Sequence, residues 1–483
     1  MTNVTERLMS EYVSRDAVGL AEWVRDGQVA PAELVEIAIT LIERLNPRLN
    51  AVIYRTYDLA REVAQAPRRD APFFGVPFLL KDMFTAWHDL PVTQSCRYLR
   101  SVRWPGDSDV ACRIKQAGFV LLGKTNIPEV GWSLSTEPRE AGLTYNPWRD
   151  DVTVSGSSGG AAAAVAARLV PLADATDAAG SIRAPASVCG LVGLKPSRGR
   201  ISHAPYLGDP WYGCAYSLCH SRTVRDTAAY LDAIATGSLP GDPYHAAPPE
   251  ETWARSMHRP PGRLNVGFAT RTPDGHAFNP EVEMAMRETT RLLADLGHQV
   301  VAYDWQAFNA EFAWTTYTSL AAVLTAQLFE SFAPEVGVPV GPDDVEPITW
   351  SMIERGRRCT GIRHAEDVQS LRLIGRALAT ELQPFDLYLT PTLTHPPRPH
   401  GYMDMRMTDC DAYNALMADA CFLYPFNITG QPAITLPMHW TDDGLPVGIQ
   451  LVARTNSEVT LLRVAAQLEE ARPWISRKPP VCA

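Results

Sequence analysis

The stretch "VSGSSGGAAAAVAARLVPLADATDAAGSIRAPASVCGLVGLKPSRGRIS" (residues 154–202) decides how the chain is read. It opens on two adjacent serines between glycines, which would suit a flexible linker. A linker would stay polar, however, and this segment does not. "GGAAAAVAARLV" (159–170) reads as a helix of small residues that allows close packing, and "VPLADA" (170–175) reads as a strand. A second soft turn, "DAAGSIRAP" (177–185), follows. Two Gly/Ser turns thus flank one α/β element. A fold can bring both to one edge of a sheet, where ligands tend to bind, so that hydroxyls from the two turns meet.

Upstream, "FFGVPFLLKDMF" (73–84) holds an apolar run that reads as a buried strand ending at Lys81. The local pattern alone favours an exposed lysine, since most lysines stay in water. Burial would instead lower its pKa and make it a usable base near neutral pH. The first 65 residues read as helices. Ser14 is a candidate cap. "APAELVEIAITLIERLNP" has Pro31 at its start, Leu34, Ile37, Leu41 and Leu45 at helical spacing, and Pro47 as its expected end. "RLNVGFAT" (263–270), "QVVAYD" (299–304) and "FDLYLTPTL" (385–393) read as strands. "NPEVEMAMRETTRLLADLG" (279–297) reads as a helix capped by Asn279 and closed by Gly297. This alternation predicts an α/β fold with a central mixed or mostly parallel twisted sheet flanked by helices.

The chain has 483 residues, a net charge of −10 and 46% hydrophobic residues. Length alone suggests about three domains, but a single large α/β unit also reaches this size. The expectation is one domain over 1–483. It comprises N-terminal helices (1–65), a core with the two turns (66–238), a proline-rich surface crossing (239–262), a variable substrate-pocket region (263–404) and a C-terminal part of the core (405–483). Mild acidity argues against a nucleic-acid partner. No signal peptide and no membrane span are read from the sequence. Nine scattered cysteines without a CxxC pair point to reduced thiols and a cytoplasmic location. No metal-ligand cluster stands out, so no metal or cofactor is expected. "GFVLLGKT" (118–125) matches the phosphate-loop pattern letter for letter. Its middle residues, Phe119 to Leu122, should themselves be strand, and Pro128 blocks the helix that must follow. Lys124 then reads as a solvated or structural lysine.

Taken together, "GVPFLLKD", "SGSSGG" and "DAAGSIRAPASVCGLVGLKPSRGR" resemble the amidase signature family of serine hydrolases. "DLYLTPTL", "PFNITGQPAITLP" (425–437) and "GLPVGIQLVA" (444–453) extend the match from roughly residue 70 to the C-terminus, with a divergent middle. The resemblance implies the family's α/β fold and a Ser–cis-Ser–Lys triad. Lys81 matches the base, Ser157 the bridging serine and Ser181 the nucleophile. It also implies a cis Gly156–Ser157 peptide, and an oxyanion hole from the backbone N–H groups of Ala178, Ala179, Gly180 and Ser181. Ser158 matches a supporting serine. Asp177 and Arg183 are read either as orienting the turn or as a purely structural pair. The activity implied is hydrolysis of a small-molecule linear carboxamide through an acyl-enzyme. Esters and carbamates are accessible to the same chemistry.

Two positions depart from the family pattern. Ala179 stands before Gly180 where the family commonly has two glycines, and Ser155 replaces the first glycine of "GGSSGG". "STEP" (135–138), "NPW" (146–148) and the C-terminal match look most like bacterial amidases acting on small or oligomeric synthetic amides, including the 6-aminohexanoate cyclic dimer hydrolase group. Ser135, Thr136, Trp211, Tyr212, Trp314, Tyr317 and Tyr424 are candidate pocket residues, with Trp305 and Phe312 beside them. Each aromatic is alternatively core. Two other readings stand. One is the glutaminase subunit of a tRNA-dependent amidotransferase, which needs partner subunits. The other is a non-catalytic binding protein on the same fold, which needs a lost triad residue. The expected assembly is a monomer or homodimer.

Overall fold

A computed structural model describes residues 3–65, 69–235 and 237–483. Eleven strands run through the described residues: β1 (Val52–Arg55), β2 (Pro77–Lys81), β3 (Val120–Thr125), β4 (Leu172–Asp177), β5 (Val192–Lys195), β6 (Tyr216–Ser221), β7 (Asn265–Phe268), β8 (Gln299–Ala302), β9 (Leu387–Pro391), β10 (Ala433–Trp440) and β11 (Pro446–Ala453). They form a single sheet in the order β1-β3-β2-β4-β6-β5-β10-β11-β9-β7-β8. The sheet is mixed. β2 runs parallel to β3 and β4, and β7 runs parallel to β8 and β9. The remaining neighbours are antiparallel. β2, β3, β4, β5, β6, β9 and β11 are buried along their whole length, as strands covered on both faces must be.

One sheet carries the chain from residue 52 to residue 453, so the variable region is not a separate body. Its strands β7 and β8 reach the core through β9, which pairs with β11. The crossing 239–262 is anchored rather than simply laid on the surface. It holds a short helix, Trp253–Ser256, and the N–H groups of Trp253 and Ala254 donate to Asp232 (2.8 and 2.9 Å).

Three local expectations give way. The helix from Pro31 runs through Pro47 to Leu49. A proline in the last turn forfeits only one helical bond, and Asn50 ends the helix in the left-handed conformation, its N–H donating to Asn46 O at 2.7 Å. Asn46 then folds the chain back, its Oδ1 accepting the N–H of Ala51 and Val52 (2.9 and 2.8 Å). That turn starts β1, a strand within the segment read as helices alone. Ser14 is not a cap. It lies in the last turn of the helix Asn3–Ser14 and donates to Glu11 O, while Asp16 caps the next helix by accepting Gly19 N–H at 3.0 Å. In "GFVLLGKT" the strand β3 extends through Gly123, Lys124 and Thr125. Lys124 is structural and buried, paired with Asp82.

Candidate active site

β2 and β4 are adjacent and parallel, so their C-terminal ends lie at the same edge of the sheet. β2 delivers Lys81 to that edge and β4 delivers Thr176 and Asp177. The serine turn 155–158 stands immediately before the helix Gly159–Ala166. That helix is buried on every side and built of Gly, Ala and Val, so it packs close to its neighbours. A Cβ on Gly160 would lie 2.4 Å from Asn126 N, and one on Gly156 would lie 2.4 Å from Ser133 O. The Gly156–Ser157 peptide is cis.

Lys81 is fully buried, against the exposure that its local pattern favours. The expectation failed because it weighed the lysine alone, while strand packing on both faces leaves no route to water. Its Nζ lies 2.8 Å from Ser157 Oγ, 2.8 Å from Thr176 Oγ1 and 3.3 Å from Thr176 O. Burial pushes its pKa down to about 7, against the pull of Asp174 and Asp177. Nζ donates to Ser157 Oγ and to both oxygens of Thr176, and its neutral form has a lone pair with which to take the Ser157 hydrogen instead. Asp174, beneath it on β4, is pushed up to about 7 by its own burial, against the Lys81 N–H and ammonium. Its Oδ1 has no partner, leaving room for a proton. Ser158 locks the strand end to the serine turn, donating to Thr176 O (3.2 Å) and accepting Thr176 N–H (3.3 Å).

Ser181 lies on the turn between β4 and the helix Arg183–Cys189. Asp177 organises that turn. Its carboxylate accepts the backbone N–H of Gly180 (2.7 Å) and Ile182 (3.2 Å), and it pairs with the Arg183 guanidinium through Nε and Nη2 (2.9 Å each). Burial alone would raise Asp177, but Arg183 and Asn427 hold it below the usual carboxylate range. The pair is therefore structural and orienting at once. His220 ties the turn to β6, its Nε2 lying 2.8 Å from Ile182 O. The bond to Asp177 corrects one expectation: the Gly180 N–H is not free to bind an oxyanion. The N–H groups of Ala178, Ala179 and Ser181 have no acceptor among the described residues.

Ser157 and Ser181 face one small cavity of about 30 Å³. Ser181 Oγ has no hydrogen-bond partner among the described residues. Such bonds are often long in a free enzyme and tighten around substrate. Ala178, Ala179, Trp211, Trp314 and Tyr424 also line the cavity. Tyr317 stands behind the wall, its hydroxyl donating to Ala178 O and its ring stacked on Trp314. Five candidates lie elsewhere. Ser135 lines a neighbouring cavity and contacts Glu137 and Thr153. Thr136 donates to Ser155 O at 2.8 Å and packs under Gly159. Tyr212 packs on His364. Trp305 packs among Phe308, Tyr388, Phe422 and Phe426, while Phe312 is exposed. Packing against other rings occupies Tyr212 and Trp305.

The sequence reading missed Trp132, Met83, Leu134 and Met417, which also line the cavity. Trp132 is stacked on Trp211 at 5.8 Å, and its buried indole N–H has no partner. It also missed Asn427, whose Nδ2 donates to Asp177 O and Oδ1 (3.0 and 2.8 Å). Asn427 sits in "PFNITGQPAITLP", so the signal was present, but nothing local tells what an asparagine there holds.

The family model described as Amidase matches residues 33–462. The chain belongs to the amidase family. This amidase is 40% identical over 477 residues to 6-aminohexanoate-cyclic-dimer hydrolase of Paenarthrobacter ureafaciens, covering 96% of each chain. It superposes on a solved structure of 6-aminohexanoate cyclic dimer hydrolase complexed with substrate with a TM-score of 0.92 and 39% identity, covering 98% of this chain and 100% of the other. A bacterial aryl acylamidase of the amidase signature family matches with a TM-score of 0.85 at 28% identity, over 95% and 96% of the two chains. The amidase is thus an amidase signature hydrolase acting on amides. No helix among its described residues is long and apolar enough to cross a membrane.

Proposed function

We propose that this amidase cleaves small, largely neutral carboxamides, including oligoamides, through an acyl-enzyme on Ser181, with Lys81 as base and Ser157 as proton relay. The observation that carries this reading is the buried Lys81, 2.8 Å from Ser157 Oγ, with its pKa pushed down to about 7. A serine hydroxyl is a weak nucleophile until a base takes its proton. Ser157 gives its proton to neutral Lys81 and takes the proton of Ser181. Ser181 Oγ then bonds to the carbonyl carbon, and the C=O electron pair moves onto oxygen. The free N–H groups of Ala178, Ala179 and Ser181 are the candidate donors to that oxyanion. Well-placed donors of this kind are worth about 3–4 kcal/mol each.

Collapse of the intermediate breaks the C–N bond, and the proton held by Lys81 passes through Ser157 to the leaving amine. Water then attacks the acyl-serine by the same relay, releasing the carboxylic acid and restoring Ser181. The cavity wall is mainly aromatic and aliphatic, which favours apolar acyl groups over charged ones. The similarity to 6-aminohexanoate-cyclic-dimer hydrolase supports amides of ω-amino acids as the substrate class to try first.

The test is release of nitroaniline and nitrophenol from a panel of amide, ester and carbamate substrates. Wild type should turn over, and both Ser181→Ala and Lys81→Ala should lose about 10³-fold or more in kcat. Comparable turnover in either variant would overturn the triad.

A further inference from the structure

Beside the catalytic cavity lies a second, larger one of about 190 Å³. The two share a wall made of Trp314, Met417 and Tyr424, with the two rings 4.8 Å apart. The catalytic cavity, at about 30 Å³, is the smaller of the two, and a substrate that reaches past Trp314, Met417 and Tyr424 enters the second.

Asn414 lines the second cavity from the helix Cys410–Ala415. It is 4% exposed, and neither its Oδ1 nor its Nδ2 has a hydrogen-bond partner. Leaving both ends of a buried carboxamide without partners is costly, so the side chain is poised for a ligand that offers both a donor and an acceptor. A carboxylate offers acceptors only, and an ammonium offers donors only. A secondary amide offers both, one N–H for Oδ1 and one C=O for Nδ2. At the mouth stand two exposed carboxylates, Asp274 and Glu311, and no basic residue lines the cavity. The rim therefore disfavours a ligand that ends in a carboxylate.

We propose that this antechamber is an outer substrate subsite in which Asn414 pairs with a second amide group, so that the amidase selects substrates carrying an amide beyond the scissile one. The proposal rests on the acyl-transfer reading of the adjoining cavity. Asn414 is a specificity residue here and takes no part in the chemistry.

The probes are two p-nitroanilides of equal chain length. One has a plain alkyl acyl chain, and in the other a –CH2–CH2– unit is replaced by –CO–NH–. Binding of each to Ser181→Ala is measured by calorimetry, with nitroaniline release by wild type followed in parallel. The amide-bearing probe should bind about 10-fold or more tighter. That preference should vanish in Ser181→Ala/Asn414→Leu, while affinity for the alkyl probe is retained. Asn414→Asp, which keeps the shape but loses the Nδ2 donor, should weaken the preference and serves as the reading if the leucine variant does not fold. Equal affinity for the two probes, or a preference that survives both substitutions, overturns the subsite. Binding without release of nitroaniline from either probe would sink the acyl-transfer reading, and the affinity comparison would still decide the subsite.

Discussion

Lys81 carries the main consequence at the scale of the residue. Only its neutral form can take a proton, so kcat/KM should rise with pH through about 7 and level off above it. Burial sets the position of that limb, and Asp174 pulls against it. As an anion it would hold Lys81 protonated, and its own burial keeps it largely neutral up to about 7. Replacing Asp174 with Asn removes the remaining anionic pull, and the limb should move to lower pH. A pH profile of the two proteins measures this, and a limb that stays in place or moves upward would remove Asp174 from the account. Lys81 also marks a limit of what the sequence reveals. Its own neighbours suggested exposure, and only its ordered spacing to Ser157 and Ser181, through the family resemblance, pointed to a buried base.

The element that matters most is the turn 177–183, where backbone rather than side chain does the positioning. Gly180 adopts φ +121°, and a Cβ there would meet Leu423 Cδ1 at 2.4 Å. Gly180→Ala should therefore shift the turn, move the Ser181 N–H and lower kcat by about 10²-fold, as loss of one oxyanion donor does. Steady-state kinetics beside a thermal melt would show it, and unchanged kcat would mean that the turn tolerates a rebuilt backbone. The helix and the strand that lead into this turn were legible because the helix opens on Gly159 and Gly160 and the strand is short and follows Pro171. What was not legible is how the elements meet. Nothing in "DAAGS" reveals that Asp177 takes the Gly180 N–H, because a hydrogen bond between neighbours in a turn leaves no periodicity. The aromatic candidates divided for a related reason. Trp211, Trp314 and Tyr424 reached the cavity, whereas Trp305 and Tyr212 were taken up by packing among other rings.

Across the whole molecule, the single sheet is the organising fact. β9 and β11 bind the region 263–404 to the core that holds Lys81 and Ser181. No boundary exists at which one part could unfold while its neighbour keeps a complete sheet. Urea unfolding followed by far-ultraviolet circular dichroism and by tryptophan fluorescence should therefore give coincident midpoints. Separated midpoints would mean that the β7–β9 edge opens independently. The sequence conveyed this architecture through its alternation of strand and helix. The strand order stayed hidden, because β5 and β10 pair across more than two hundred residues.

The most direct test of the central claim is mass spectrometry of the protein after treatment with a sulfonyl fluoride. The account predicts a single adduct on the peptide that contains Ser181, absent from Ser181→Ala and formed at least about 10²-fold more slowly in Lys81→Ala. An adduct on another residue, or labelling of Ser181 at an unchanged rate without Lys81, would contradict it.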